Sequence, residues 1–391
     1  MFEFSKILPF SSQTFFLFVL LSILAFWILK SISSNVKIYR IAIFSMSLIY
    51  LILLFPKPIQ FIGLIAYSFF IHWLFAVKLK YPKLLLPVIL LSLPMIFMKL
   101  AGIFPAKTNE NFMQIVFQVA GLSYVTFRVI QVYIDERNSA KQPNWMDYFN
   151  FSAFTPTLLI GPIDRFQRFS KNVAVGFQQM NASSLAKGWE YLILGLLYKF
   201  VIAAFIQIFF LSKLVDDGQF LYHLQYMYVY LFYLFFDFAG YSLLAMSYGY
   251  FIGIEVPYNF NKPFLSENPK VFWTRWHKSL GDWLNDFFFK PIFKDLTTRQ
   301  IFKPIQRQNV ALFLTFTLMG FWNGFELHYI VSGMLFGLLS VIHNYYVYLC
   351  KKSKKDVLFG NLKPIFIRYI SIFMLFNYVA FAIYIFSGKL F

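Results

Sequence analysis

The 391-residue chain is 59% hydrophobic and 13% charged, with 54 Phe and 25 Tyr, against roughly 45–50% and about 25% in soluble domains, which excludes a water-soluble globular protein. Its formal charge of +18 does not make it a nucleic-acid binder, because the basic residues sit in short loops between apolar runs, as on a positive cytoplasmic face. A single cysteine, Cys350, excludes an internal disulfide.

A bilayer core of about 30 Å takes about 20 helical residues. Candidate spans run near 12–29, 38–55, 59–77, 84–98, 112–133, 189–211, 221–252, 308–324, 328–349 and 364–387. The first ends in Lys30 without a small-x-small cleavage pattern, so it is expected to be a retained span. Pro87 and Pro94 predict a kink or break in the fourth. The stretch 221–252 is too long for one straight span and contains Gly240 and Gly249. Two segments, 134–188 (with the linker "DERNSAKQPNW") and 259–307, read as cytoplasm-facing or partly re-entrant structure. Lys30, Lys37, Arg40, Lys78, Lys80, Lys83, Lys351, Lys352, Lys354, Lys355 and nine basic residues between Asn261 and Gln308 place those loops inside and the N-terminus outside. No internal repeat is visible, so 1–391 reads as a single membrane domain, with N-terminal helices at 1–133 and a core region at 134–391.

The stretch "FWTRWHKSL", Phe272 to Leu280, carries one of only five histidines. Wound as one helix over Phe272–Phe287, it puts Trp273, Trp276, Leu280, Trp283, Leu284 and Phe287 on one face. Thr274, Arg275, Lys278, Ser279, Asp282, Asn285 and Asp286 take the other, with Lys278 and Asp282 at the i,i+4 spacing of a surface pair. His277 falls about 40° from Trp273, inside the apolar arc. An imidazole aimed into such a pocket stays neutral and is suited to proton exchange near neutral pH. A histidine that only ties its helix to a backbone carbonyl is the competing reading.

Other polar residues lie in apolar runs. Asp237, in "YLFFDFAGYSLLAM", must be paired or functional, because a carboxylate there costs about 2.5–3.5 kcal/mol on insertion scales. Asp164 and Arg165 in "GPIDRFQRF" read as a structural knot at the membrane surface. "GFWNGFELHYI" sets Trp322, Asn323, Glu326 and His328 between two apolar spans, and Asn323 and His328 share a pocket only if the backbone turns between them. His72, His223 and His343 read as capping or snorkelling residues. There is no Walker loop, GxSxG, HExxH or Cys/His metal cluster, so no metal or bound cofactor is expected.

"DFAGYS", "NFNKPF", "FWTRWHKSL", "GPIDRF" and "FNYVAFAIYIFSG", spread over residues from about 150 to 390, resemble the membrane-bound O-acyltransferase (MBOAT) family, and most closely its teichoic acid D-alanyltransferase branch. The resemblance implies an all-α polytopic fold of about eleven transmembrane helices, with re-entrant or interfacial helices around a central funnel, in a bacterial cytoplasmic membrane. It implies transfer of D-alanyl from the phosphopantetheine thioester of a carrier protein to a teichoic or lipoteichoic acid hydroxyl outside, alongside other D-alanylation proteins. A histidine would act as general base. Family members pair the histidine at the position of His277 with a second one in a GFWHG-like motif, where this chain has Asn323. Asparagine polarises but takes no proton, and losing a general base costs ~10²–10⁴-fold in rate.

Three readings follow: His277 as base with Asn323 orienting the acyl group, His328 filling the place left by Asn323, or a non-catalytic relative that binds carrier or lipid. Trp273, Trp276, Trp322 and Asp237 would line the substrate pocket, and Arg275 and Lys278 would dock an acidic carrier protein. Acetyl or other acyl transfer to a cell-surface polysaccharide is the alternative chemistry, and a lipid or polymer transporter the alternative class.

Overall fold

The computed structural model describes residues 10, 12–54, 58–80, 83–103, 121–137, 143–158, 161–354 and 364–391. The regular structure among them is helical. Seven helices there are long and apolar enough to cross a membrane: Gln13–Ile32, Val36–Leu54, Phe61–Lys78, Ala182–Lys213, Phe220–Phe251, Leu327–Ser353 and Ile365–Phe386. A further helix, Pro304–Asn323, forms over the predicted stretch 308–324. Of the predicted span 112–133, the part 112–120 lies outside the described residues, as do 138–142 of the linker and Lys355, and the rest of that span is helical over Leu122–Glu136.

Neither stretch in which a bend or break was expected is interrupted. The helix Leu85–Ile103 continues through Pro94. The stretch predicted to be too long for a straight span is one uninterrupted helix of 32 residues, Phe220–Phe251, about 48 Å at 1.5 Å per residue. Gly240 and Gly249 do not interrupt it, because a helix interior tolerates glycine at about 1 kcal/mol each. The segments at 134–188 and 259–307 are chains of short helices and turns, among them Trp145–Ser152, Phe166–Val175, Pro269–Trp273, Lys278–Leu284 and Lys290–Thr298.

The chain divides into two compact units, Met1–Leu197 with Gly240–Pro257, and Tyr198–Ala239 with Tyr258–Phe391. In the first, backbone close approach brings Ala182–Leu196 against the tail of the long helix. A side chain on Gly188 would stand 2.7 Å from the Phe251 ring, and one on Gly195 2.8 Å from Leu244. Ser247 donates to the Gly188 carbonyl (2.8 Å), Trp27 to that of Phe251 (3.1 Å) and Tyr39 to that of Ile252 (2.6 Å).

The same unit holds the Gly-Pro knot. Arg128 is 1% exposed and donates to the carbonyls of Phe151 (2.9 Å) and Ser152 (3.2 Å) and to Thr157. Asp164, also buried, accepts from the Arg165 backbone N–H (2.6 Å) and pairs with Arg168 (2.7 Å). The aspartate thus reaches one turn ahead for its cation. Charges this deep persist only when several hydrogen bonds replace water, as they do here.

The second unit is organised by an antiparallel hairpin of Pro304–Asn323 and Leu327–Ser353. Its seam is glycine: a Cβ on Gly320 would lie 2.5 Å from the Tyr329 carbonyl oxygen, and one on Gly333 2.6 Å from that of Phe316. Helices in lipid gain their association from such close backbone contact, having no hydrophobic drive to pair. Pro364–Phe386 joins them through Ser332 to the Ala382 carbonyl (2.8 Å) and Tyr378 to that of Leu335 (2.7 Å).

Replacing Gly333 by Leu is expected to lower the thermal-unfolding midpoint of the detergent-solubilised protein by several degrees. Gly63→Ala, where a Cβ meets nothing within 4 Å, should leave it unchanged or slightly raised. Equal effects from the two would remove the glycine seam as the organising contact.

Candidate active site

The segment around His277 is built by a competition for backbone hydrogen bonds. Asn268 caps the short helix Pro269–Trp273 by accepting from the Val271 N–H (2.9 Å), with Pro269 at its first position. In an unbroken helix the Lys278 N–H would return to Thr274. Instead it goes to the Asn259 carbonyl (2.9 Å), while the Asn261 N–H goes to the Arg275 carbonyl (2.9 Å). The single helix expected over Phe272–Phe287 is therefore broken, a correction with a definite cause: the chain at 259–261 takes the groups that would have closed its second turn.

At the break stands His277, in left-handed backbone with φ 43° and ψ 48°. A non-glycine residue held there costs roughly 1–3 kcal/mol and persists only when its surroundings enforce it. The His277 carbonyl then accepts from Leu280 (3.0 Å) and Gly281 (3.1 Å), starting the helix Lys278–Leu284.

The break still delivers the ring into an aromatic wall. The Phe238 ring meets it edge-on at 4.7 Å and 78°, and Phe260 lies at 6.4 Å. Beside it, Trp276 packs against Phe260 (5.3 Å), Phe272 (5.7 Å) and Phe264 (6.0 Å). His277 Nδ1 is shut off from solvent and has no hydrogen-bond partner outside its own residue among the described residues. Burial holds its pKa down, from 6.5 to about 3, so the imidazole is neutral at neutral pH.

The remaining candidates distribute as follows. Trp273 lies on Phe316 (4.9 Å) and Phe336 (5.0 Å), joining the His277 segment to both helices of the glycine hairpin. Asn323 ends the first of those helices, seven residues or about 10 Å beyond Phe316. Its Nδ2 donates to the Met319 carbonyl (2.8 Å), and Oδ1 has no partner among the described residues. Trp322 is half-buried beside it. After extended Gly324 the chain reverses, so Asn323 and His328 do not share a continuous helix. His328 Nδ1 bonds the Phe386 carbonyl (2.8 Å). Among the described residues no contact joins His277 to Asn323 or His328.

Asp237 is paired, with Lys199. Arg275 donates to the Leu265 carbonyl (3.2 Å), and Lys278 forms the expected ion pair with Asp282. Sequence reasoning missed two residues of this site. Asn259, 1% exposed, accepts through Oδ1 from the Ser279 hydroxyl (2.6 Å) and backbone N–H (3.3 Å). The only signal for Asn259 was its place at the head of "NFNKPF", and Ser279 fell on the polar face of a helix that does not exist as one piece.

A profile of the membrane-bound O-acyltransferase family matches residues 81–386. The chain belongs to that family. It is 32% identical over 403 residues to the teichoic acid D-alanyltransferase of Streptococcus thermophilus, covering 98% of this chain and 95% of the relative. To the Bacillus subtilis teichoic acid D-alanyltransferase it is 36% identical over 275 residues, 69% and 68% of the two chains. More distantly, it is 31% identical over 213 residues to the peptidoglycan O-acetyltransferase of Helicobacter pylori, 54% and 39% of the two chains. It is thus an acyltransferase and a multi-pass membrane protein, and these relatives are bacterial.

Two expectations concern the charges of this acyltransferase. Lys199→Met strands the Asp237 carboxylate within a span and should destabilise more than the double variant Lys199→Met/Asp237→Leu, which removes both charges. Thermal unfolding in detergent measures the order, and a double variant no better than the single removes the pair's importance. The second follows from the lowered pKa of His277. As pH falls from 6.5 toward about 3, the unfolded chain takes up a proton that folded His277 refuses, so stability is lost over that window. His277→Asn, which tolerates left-handed backbone, should flatten the decline in unfolding midpoint between about pH 7 and about pH 5. An unchanged slope would show that another group governs it.

Proposed function

We propose that this acyltransferase moves a D-alanyl group from the phosphopantetheine thioester of a carrier protein to a hydroxyl of teichoic or lipoteichoic acid on the outer side of the membrane. The similarity to two teichoic acid D-alanyltransferases supports the substrate class. The observation that carries the site is His277 Nδ1, a polar atom shut off from solvent with no partner outside its own residue among the described residues, inside an aromatic wall. Such an atom costs free energy while it lacks a partner, and a hydrogen bond from a substrate donor would recover it.

The reaction needs a hydroxyl oxygen to attack the thioester carbonyl carbon while its proton leaves, and the carbon–sulfur bond then breaks to release a thiolate that takes a proton. His277 is the acceptor for the hydroxyl proton. With a pKa of about 3 it is neutral but weakly basic. The negative charge developing on the carbonyl oxygen offsets this, since an anion near an imidazolium in a low-dielectric site favours the protonated form. Trp273 and Trp276 flank the acyl path, and Asn323, with an open Oδ1 and a second amide N–H, orients the acceptor or the acyl carbonyl. Asp237, held by Lys199, supports the helix that carries Phe238. His328, tied to Phe386, clamps the end of the hairpin.

For the carrier, Arg275 and Lys278 supply positive charge. The Lys278–Asp282 pair is largely exposed, with side chains 42% and 51% accessible, and such pairs are worth about 0–1 kcal/mol. Lys278 therefore exchanges Asp282 for a carboxylate of an acidic carrier at little cost.

The test is ester-linked D-alanine on the envelope of a host deprived of its own D-alanylation membrane protein. The native chain is expected to restore it and His277→Ala to reduce it by ~10²-fold or more, with Asn323→His retaining or raising it. Ester restored only by Asn323→His would mean that Asn323 has silenced the transfer. Acetyl in place of D-alanyl would move the reaction to the alternative substrate.

A further inference from the structure

The stretch Asn259–Asn261 touches the His277 segment at four points, one before the break at His277 and three after it. The Asn259 carbonyl takes the Lys278 N–H (2.9 Å), and the Asn261 N–H reaches the Arg275 carbonyl (2.9 Å). The Asn259 carboxamide oxygen takes both the hydroxyl (2.6 Å) and the backbone N–H (3.3 Å) of Ser279. Asn259 and Ser279 are 1% and 5% exposed, so water does not replace these bonds. Phe260, the residue between the two asparagines, contributes one of the rings beside His277.

The helix that follows cannot by itself set the imidazole. It is seven residues long, Lys278–Leu284, and its cap is His277 itself, whose side chain makes no capping bond. The backbone of His277 is left-handed, a conformation that an L residue leaves when it is free to do so. Release of Lys278 and Ser279 lets residues 274–278 close the ordinary helical turn. That swings the ring, because the side-chain direction follows φ and ψ.

From this geometry we infer that Asn259 is a positioning residue for the transfer reaction: through Ser279 and Lys278 it fixes the left-handed backbone that points His277 into the aromatic wall. The inference deepens the reading of His277 as the reacting base and rests on it. Asn259 touches no reacting atom, and its contribution is orientation, where a displacement of about 1 Å costs ~10²-fold in rate. It predicts an effect on kcat per folded molecule, with carrier binding left alone.

The experiment compares the full chain in reconstituted membranes with Asn259→Ala, Ser279→Ala, Ser279→Thr, Asn259→Ala/Ser279→Ala and His277→Ala. Transfer from a D-alanyl-carrier thioester to lipoteichoic acid is followed as a function of carrier concentration, and folded protein is counted by thermal unfolding. Asn259→Ala and Ser279→Ala are expected to lower kcat by ~10- to 100-fold with KM for the carrier within about twofold. The double variant should fall no further than the worse single one, because both remove one shared bond, and Ser279→Thr, which keeps the hydroxyl, should stay near the native rate.

A native kcat per folded molecule in both single variants, or losses that multiply in the double variant, overturns the inference. Should Asn259→Ala fail to fold, Ser279→Ala decides in its place, since it removes one hydroxyl and keeps the backbone donor. A His277→Ala variant with the native rate overturns the reading of His277 and the positioning role with it. An inactive His277→Ala beside fully active Asn259→Ala overturns the positioning role alone.

Discussion

A polar group in an apolar medium must find its partner within the protein, because no solvent will supply one. Most of the arrangement follows from that constraint. Arg128 gathers carbonyls from the turn at 151–157, Asp164 collects Arg168 and a backbone N–H, and Asp237 is held by Lys199. The first two tie irregular segments to helices, and the third joins two spans. In one region the constraint acts on the backbone: the amides of Lys278 and Ser279 turn to Asn259, and the Arg275 carbonyl to the Asn261 N–H, instead of to their own helix. At His277 Nδ1 it is left unmet.

Packing supplies the second organising force, and it works through absence of side chains. In the glycine hairpin, carbonyls approach Gly320 and Gly333 more closely than any Cβ allows. This seam holds the ends of both helices, and with them Asn323, in a fixed register. Trp273 spans the two helices through Phe316 and Phe336. The bulky wall around His277 and the side-chain-free seam beyond it are therefore parts of one construction, in which aromatic volume fills the site and glycine brings its frame close.

The spans were legible because lipid imposes a simple rule on composition: runs of about twenty apolar residues announce themselves. Asp237 as a residue needing a partner was legible on the same ground, though its partner, Lys199, was not, since nothing in a linear chain tells which turn of one helix meets which turn of another. The i,i+4 pair of Lys278 with Asp282 is local and was readable. The break at His277 is not local. Periodicity over Phe272–Phe287 fits one helix well, and the residues that break it lie some fifteen positions earlier, in a stretch whose amides and carbonyls have no signature of their own. Proline and glycine do not end helices here: Pro94, Gly240 and Gly249 sit inside continuous ones.

The left-handed backbone at His277 also limits what evolution can put there. Gly, Asn, Asp and His occupy that region far more readily than β-branched or bulky apolar residues. The surroundings are phenylalanine and tryptophan, so hydrophobicity alone would recruit Leu, Ile or Phe to fill the space, and the backbone disfavours them. A lineage that lost the imidazole would drift toward asparagine or glycine while keeping the turn. The main chain thus holds the position open to polar side chains, independently of any selection for chemistry. An asparagine at this position in a related chain would mark a geometry retained after its proton carrier had gone.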